Sequence, residues 1–192
     1  MSKNTVVFAV PLALLVVAGA YFFMQSPPAE EKGDIVSNMI VIETDKGIIK
    51  AELRPDAAPK TVKNFTDLVG RKFYDGLTFH RVEPNFVIQG GDPKGDGTGD
   101  SGATVPLEIK CQDGTIYEGQ TVSCPPALPH RDGALAMARA QDPNSASSQF
   151  YITIGEQKFL DGNYAVFGYV TQGLEVVRAI ERGDSIQRIY LE

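Results

Sequence analysis

Hydrophobic positions along this chain follow three patterns. Residues 6–24 (VVFAVPLALLVVAGAYFFM) form an almost unbroken apolar run. From residue 38 the chain changes to short alternating stretches. MIVIET at 39–44 and GIIKAEL at 47–53 carry the period of two expected of strands, joined by the tight-turn signal Asp45-Lys46-Gly47. Residues 56–70 change period again. Val62, Phe65, Leu68 and Val69 recur at helical spacing, Pro59 stands in the first turn and Gly70 at the stop, which predicts a helix with one core-facing stripe. Strand patterns return at 79–82, 86–89, 133–140 (GALAMARA), 148–154 (SQFYITI), 165–170 (AVFGYV) and 187–191. GALAMARA is equally well patterned as a helix; its small residues suit a strand that something approaches closely. Residues 173–182 (GLEVVRAIER) predict a second short helix, stopped by Gly183. About eight mainly antiparallel strands and two helices predict a mainly β fold, a closed or nearly closed barrel with helices at its ends.

The stretch at 79–93, FHRVEPNFVIQGGDP, carries the most chemistry. Two β-branched and aromatic runs flank Glu83-Pro84-Asn85, a turn signal, so it reads as a hairpin. A turn centred near Asn85 sets Arg81 opposite Gln89, with Val87 on the same face. That face then offers a guanidinium, a side-chain amide and an apolar floor. An exposed hairpin can equally carry Arg and Gln as a solvated face.

The first 25 residues bear on the compartment. Nineteen apolar residues at a rise of 1.5 Å reach roughly 28 Å, about the thickness of a bilayer's hydrocarbon core. Ala18-Gly19-Ala20 has the small-residue pattern of a signal-peptidase site, yet Tyr21-Phe22-Phe23-Met24 carries the apolar run past it. The longer run favours an uncleaved anchor over a signal peptide. With Lys3 before the segment and Glu30, Glu31 and Asp34 after it, the domain is expected outside the cytoplasm. The alternative is a secreted or periplasmic form after cleavage. Residues 26–37 are a Pro- and charge-rich tether, and the folded domain is expected over 38–192.

Composition narrows the function. A net charge of −6 and 22% charged residues suit a globular domain and argue against nucleic acid as a partner, because binding phosphates needs a basic face. The glycine-dense loop GDGTGDSG at 95–102 lacks the Lys-Ser/Thr of a phosphate loop and the closing Glu of a calcium loop. Close backbone approach to an extended ligand, or a mobile loop, fits it better. Cys111 and Cys124 are the two cysteines, and in an exported chain they read as one disulfide. With two histidines besides, no metal site and no cofactor are expected. Neither His80 nor His130 has a Ser or Cys at triad-like spacing, which speaks against a hydrolase; His80 reads as a core or supporting residue. Arg, Gln and aromatics suit a reaction without proton transfer or a covalent intermediate.

FHRVEPNFVIQGGDP, GDGTGDSG, GALAMARA, NSASSQFYI, FLDGNYAVFG and VVRAIERGD resemble, in order and spacing, the cyclophilin-type peptidyl-prolyl isomerases in a prokaryote-like form. The resemblance spans about residues 41–191. It implies an eight-stranded barrel capped by two helices, with a groove on its outside and proline-containing polypeptides as substrates. By the resemblance, Arg81 is the catalytic arginine and Gln89 its partner, while Phe86, Val87, Tyr151 and Leu160 form the proline pocket. Ala138, Arg139 and Gln149 hold the residues preceding proline. Phe159 stands where many members have Trp, and Tyr164 where many have His; the family often has Met at Val87 and Phe at Tyr151. These exchanges keep the pocket apolar, but Phe159 lacks the indole N–H, which puts strong cyclosporin binding in doubt. The stretch before GALAMARA is about a dozen residues longer than in compact members and looks like a clipped surface loop near the groove. A monomer is expected. A proline-binding module that scarcely turns over is the competing reading, and retention of both Arg81 and Gln89 favours the enzyme.

Overall fold

The computed structural model describes residues 38–192. The apolar segment at 6–24 and the tether at 26–37 lie outside the described residues. Among the described residues no helix is long and apolar enough to cross a membrane.

Among the described residues, ten strands and two helices follow in order. Strands β1 (Met39–Thr44) and β2 (Gly47–Leu53) form the first hairpin, and helix α1 (Pro59–Gly70) follows with Pro in its first turn. Next come β3 (Arg81–Glu83), β4 (Val87–Gly90), β5 (Glu108–Lys110), β6 (Ile116–Glu118), β7 (Ala134–Met137) and β8 (Phe150–Thr153). A 3₁₀ turn at Lys158–Leu160, β9 (Val166–Gln172), α2 (Leu174–Ala179) and β10 (Ile186–Leu191) complete the chain.

Eight strands make one sheet in the order β10-β1-β2-β9-β7-β8-β4-β3, with every neighbouring pair antiparallel. The sheet curls about a core in which Ile40, Ile42, Ile49, Leu53, Ile88, Leu135, Phe150 and Phe167 are buried. The stripe on α1 packs into the same core. Phe65 is fully buried, with ring centroids 5.1 Å from Tyr74, 5.6 Å from Phe150 and 5.1 Å from Phe167.

The expected closed barrel is not complete. The two edge strands, β10 and β3, form no ladder with each other. Thr78 and Ser185, just before each of them, make an isolated antiparallel bridge, and the Ile186 N–H donates to the Leu77 carbonyl at 2.7 Å. A three-residue β3 is too short to continue that pairing, so the sheet is a curled half-barrel stitched at one corner.

The second helix is shorter than its sequence pattern. Gly173 sits before α2 with φ +87°, a left-handed conformation outside the helix, and a Cβ there would collide with the Ile48 carbonyl, so the position requires glycine. At the other end Ile180 is already extended and buries its side chain in the core. The cysteine-bracketed stretch, expected as a loop, contains β6, which pairs with β5 just before Cys111, Ile109 opposite Tyr117. Cys111 and Cys124 form a disulfide with Cα atoms 5.9 Å apart.

That hairpin reaches back into the fold. Glu108 on β5 is 1% exposed. Its carboxylate accepts the Lys60 N–H at 3.1 Å, the Thr61 N–H at 2.7 Å and the Thr61 hydroxyl at 2.7 Å. Ala58, at the cap position of α1, has no side chain able to satisfy the orphan N–H groups of a helix start. Glu108 supplies that cap from 47 residues away.

Candidate active site

Strands β7, β8 and β4 separate two apolar regions. Alternation along β8 sends Phe150 and Ile152 into the core, and Tyr151 outward to a second cluster with Val87, Ala134, Ala136, Leu160 and Val166. Because both faces are covered, β7 is buried at all four positions, which explains its run of small residues. The second cluster is the base of the site.

The β3–β4 hairpin forms in the expected register, with Arg81 opposite Gln89 and Glu83 opposite Val87. Its turn holds Pro84 and then Asn85 at φ +60°, closed by the Phe86 N–H donating to the Glu83 carbonyl at 3.1 Å. Positive φ after a Pro fits a type II turn, a conformation Asn tolerates.

Arg81, Phe86, Val87, Gln89, Ala138, Arg139, Tyr151, Leu160 and Tyr164 line one pocket of about 150 Å³. Its walls are the rings of Phe86, Tyr151 and Tyr164 with Val87 and Leu160, and Arg81 is on its rim. Two residues from the sequence reading lie just outside it. Phe159 is 67% exposed and stacks on Phe86 with centroids 5.6 Å apart, extending the aromatic wall as a lip. Gln149 lines an adjoining polar pocket of about 340 Å³, formed with Gly97, Thr98, Gly99, Asp100, Ser145 and Ser147. Gln89, Ala138 and Arg139 border both, so the two make one groove.

A chain of amides runs beneath Arg81. Arg81 Nη1 donates to Gln89 Oε1 at 3.4 Å, and Gln89 Nε2 donates to Gln149 Oε1 at 2.9 Å. Gln149 Nε2 in turn donates to the carbonyls of Gly97 at 3.1 Å and Gly99 at 2.8 Å. The glycine-dense loop is thus tied to the groove by its backbone carbonyls and is not a free tip. Asp92, 1% exposed, anchors the start of that loop by accepting N–H bonds from Lys94 at 2.8 Å and Gly97 at 2.5 Å. Burial alone would raise the Asp92 carboxyl, but these donors, the Gly95 N–H and the nearby His80 hold it below the ordinary carboxylate range.

Arg139 is more committed than its sequence assignment implied. Its Nε donates to the Asn163 carbonyl at 2.9 Å, and its Nη1 to those of Ala140 and Gln141 at 2.8 and 3.0 Å. The guanidinium lies 4.9 Å from the Tyr164 ring centroid. The side chain braces the wall of the groove, while Arg81 keeps an exposed head over the pocket, 5.4 Å from the centre of the Phe86 ring.

Three contributors carried no sequence signal. His130 lies under the pocket floor against Tyr151, with Asp161 beside it. Burial lowers its pKa, and the Asp161 carboxylate only partly opposes that. Gln157 bonds the carbonyl next to Phe86. Val122 of the cysteine-bracketed insert donates its N–H to the Gly162 carbonyl at 3.0 Å, in the loop carrying Leu160 and Tyr164. The approach is close enough that a Cβ on Gly162 would strike the Val122 carbonyl. The insert therefore backs the groove wall. His80 is buried, as a supporting residue should be, and its Nδ1 has no hydrogen-bond partner among the described residues.

The profile of the cyclophilin type peptidyl-prolyl cis-trans isomerase/CLD family matches residues 39–190. The chain belongs to this family. It is 45% identical over 148 residues to peptidyl-prolyl cis-trans isomerase B of Bacillus subtilis, covering 77% of this chain and 93% of that one. A Synechococcus elongatus peptidyl-prolyl cis-trans isomerase is 41% identical over 148 residues, covering 76% and 90%. Among solved structures, a Cryptosporidium parvum cyclophilin type isomerase crystallised in the presence of the dipeptide ala-pro matches with a TM-score of 0.67 at 31% identity. That match covers 80% of this cyclophilin and 98% of the other chain.

Proposed function

We propose that this cyclophilin-type peptidyl-prolyl isomerase binds the proline ring of its substrate in the pocket of Phe86, Val87, Tyr151, Leu160 and Tyr164, and lowers the rotational barrier with Arg81. The observation that carries this reading is an exposed Arg81 guanidinium on the rim of a pocket of about 150 Å³ whose walls are Phe86, Val87, Tyr151, Leu160 and Tyr164.

An X–Pro bond must cross about 18–20 kcal/mol because rotation breaks amide conjugation. As the bond twists, the prolyl nitrogen pyramidalises and gains a lone pair. A donor aimed at that nitrogen binds the twisted state better than either planar one, and only such differential binding accelerates the step. The aromatic walls fix the ring and exclude water. Gln89 orients Arg81 from across the ladder, and Gln149 with the Ala138–Arg139 segment receives the residues before proline in the polar arm of the groove. No cofactor enters this scheme.

We further propose that the substrates are proline-containing polypeptides outside the cytoplasm, with a monomeric domain tethered to the membrane through residues 6–24. The length of that apolar run and the charges flanking it support this reading. A protease-coupled isomerisation assay on a short X–Pro peptide tests the activity with the domain at 38–192. A cis-to-trans rate that rises in proportion to protein is expected, and a rate equal to the uncatalysed one overturns the mechanism. Carbonate extraction of membranes tests the tether, and recovery in the soluble fraction alone overturns it.

A further inference from the structure

Beneath the proline pocket lies a buried polar group that the scheme above does not use. His130 is 1% exposed, yet both its ring nitrogens are partnered. Nδ1 lies 2.8 Å from Asp161 Oδ1, and Nε2 lies 2.9 Å from the Tyr151 hydroxyl. A carboxylate only accepts, so Nδ1 carries the proton. A neutral imidazole then presents Nε2 as an acceptor, and the Tyr151 O–H donates to it. The direction of every hydrogen bond in the chain is fixed by Asp161.

The same residue reaches the other walls. Its backbone N–H also donates to Asp161 Oδ1, at 2.8 Å, and its carbonyl accepts the Gln157 N–H at 2.7 Å. Gln157 Nε2 passes the connection to the Asn85 carbonyl at 2.9 Å, next to Phe86. Asp161 follows Leu160 directly, and the Tyr151 ring meets that of Tyr164 edge to face, centroids 5.9 Å apart. The imidazole is itself nearly parallel to the Tyr151 ring, at 16°. One histidine thus joins the floor, the far wall and the hairpin turn of the pocket without lining it.

We propose that His130 is a positioning residue for isomerisation, acting through the Tyr151 hydroxyl, with Asp161 selecting the tautomer that can accept from it. The proposal rests on the assignment of this pocket to the proline ring. Tyr151 has apolar space in front of it, and its ring tilt sets how well the cavity fits proline. The O–H···Nε2 bond holds that tilt at the one polar atom the side chain has. Loss of the bond loosens the fit of bound substrate and leaves the Arg81 chemistry alone, so it acts on KM.

The test is a set of variants measured for kcat and KM on an X–Pro peptide and for thermal midpoint. His130→Gln can place an amide oxygen near the position of Nε2 and keeps the acceptor for Tyr151; His130→Asn reaches only as far as Nδ1 and does not. A single hydrogen bond of ordinary strength predicts that His130→Asn raises KM about 3- to 10-fold at nearly constant kcat, with His130→Gln within about twofold of wild type. Tyr151→Phe should raise KM to the same degree, and His130→Asn should add nothing further in that background. Losses that add independently, or equal KM in the Asn and Gln variants, overturn the proposal whatever the melting points show. Should His130→Asn fail to fold, Tyr151→Phe alone decides: wild-type KM in it overturns the proposal. A wild-type protein without turnover would instead overturn the isomerase mechanism itself.

Discussion

Arg81 touches Gln89 across the β3–β4 ladder at 3.4 Å, at the long limit of hydrogen bonding, although the two residues are directly paired. Gln89 is held firmly from its other side by Gln149 at 2.9 Å. The glutamine therefore steers an exposed arginine, whose Nε also lies 3.6 Å from Glu83 Oε1, with only long contacts to hold it back from substrate. Arg81→Ala should cut kcat/KM by about 10²–10³ without shifting the thermal midpoint, because the side chain is exposed and not part of the core. Gln89→Leu, which leaves the donor but not its guide, should lose about tenfold. Peptide kinetics beside calorimetry check both, and near-wild-type turnover of Arg81→Ala would falsify the assigned role.

Glu108 gives a prediction about stability. Replacing it with Ala strips three hydrogen bonds from the start of α1 and leaves buried N–H groups without a partner. The expected cost is about 1–3 kcal/mol. Glu108→Gln keeps one acceptor oxygen and should cost less. Urea unfolding by circular dichroism measures the difference, and an Ala variant as stable as wild type would remove the capping role.

The disulfide closes a loop between residues 13 apart, which in the chain-entropy model is worth about 3 kcal/mol as an upper figure. Cys111→Ser with Cys124→Ser should open residues 112–123 to proteolysis while peptide turnover survives, since every residue lining the pocket lies outside that stretch. Limited digestion followed by mass spectrometry shows where cleavage falls. Turnover that vanishes with the disulfide would instead make the Val122–Gly162 contact essential to the groove wall.

Acid should destabilise the domain in two stages. Burial lowers the pKa of both His80 and His130 in the folded state. The unfolded chain therefore binds more protons once the pH falls below the ordinary histidine value of about 6.5, and stability drops from there downward. Asp92 and Asp45, both held low in the fold, add a second loss as the pH falls through the ordinary carboxylate range toward their folded values. The groups facing His130 are Asp161 and Tyr151, and those acting on His80 are Asp92, Asp96, Arg81 and Arg182. Thermal midpoints between pH 7.5 and 4 should show the first decline flatten in His80→Gln. A midpoint independent of pH over that range contradicts the assignment.

Much of the site was visible in the sequence because the hairpin is local. Period-two alternation on either side of Pro84-Asn85 fixes the facing of Arg81 and Gln89 without help from the rest of the fold. The β1–β2 hairpin and the stripe on α1 were legible for the same reason. Features that depend on distant partners were not. Nothing around Glu108 announces a helix cap, because its helix lies 47 residues earlier in the chain. The three-residue strands β5 and β6 are too short for alternation to register. His130 follows Pro129 in a stretch without period, and its partners come from β8 and a loop 31 residues on. The shortening of α2 turns on its two ends, Gly173 at positive φ beside the Ile48 carbonyl and Ile180 drawn extended into the core.

The pairing of β1 with both β2 and β10 shapes how the molecule is made. Ile40 faces Ala51 on one side and Leu191 on the other, so one strand joins the beginning of the folded domain to its end. A chain delivered from its N-terminus can form the β1–β2 hairpin early, but one edge of β1 stays open until β10 arrives. Contacts of such long sequence separation close slowly, and an unpaired apolar strand edge is a template for the wrong neighbour in the meantime. This isomerase thus carries in its own topology a delay before β1 is paired on both edges, and β10 ends it.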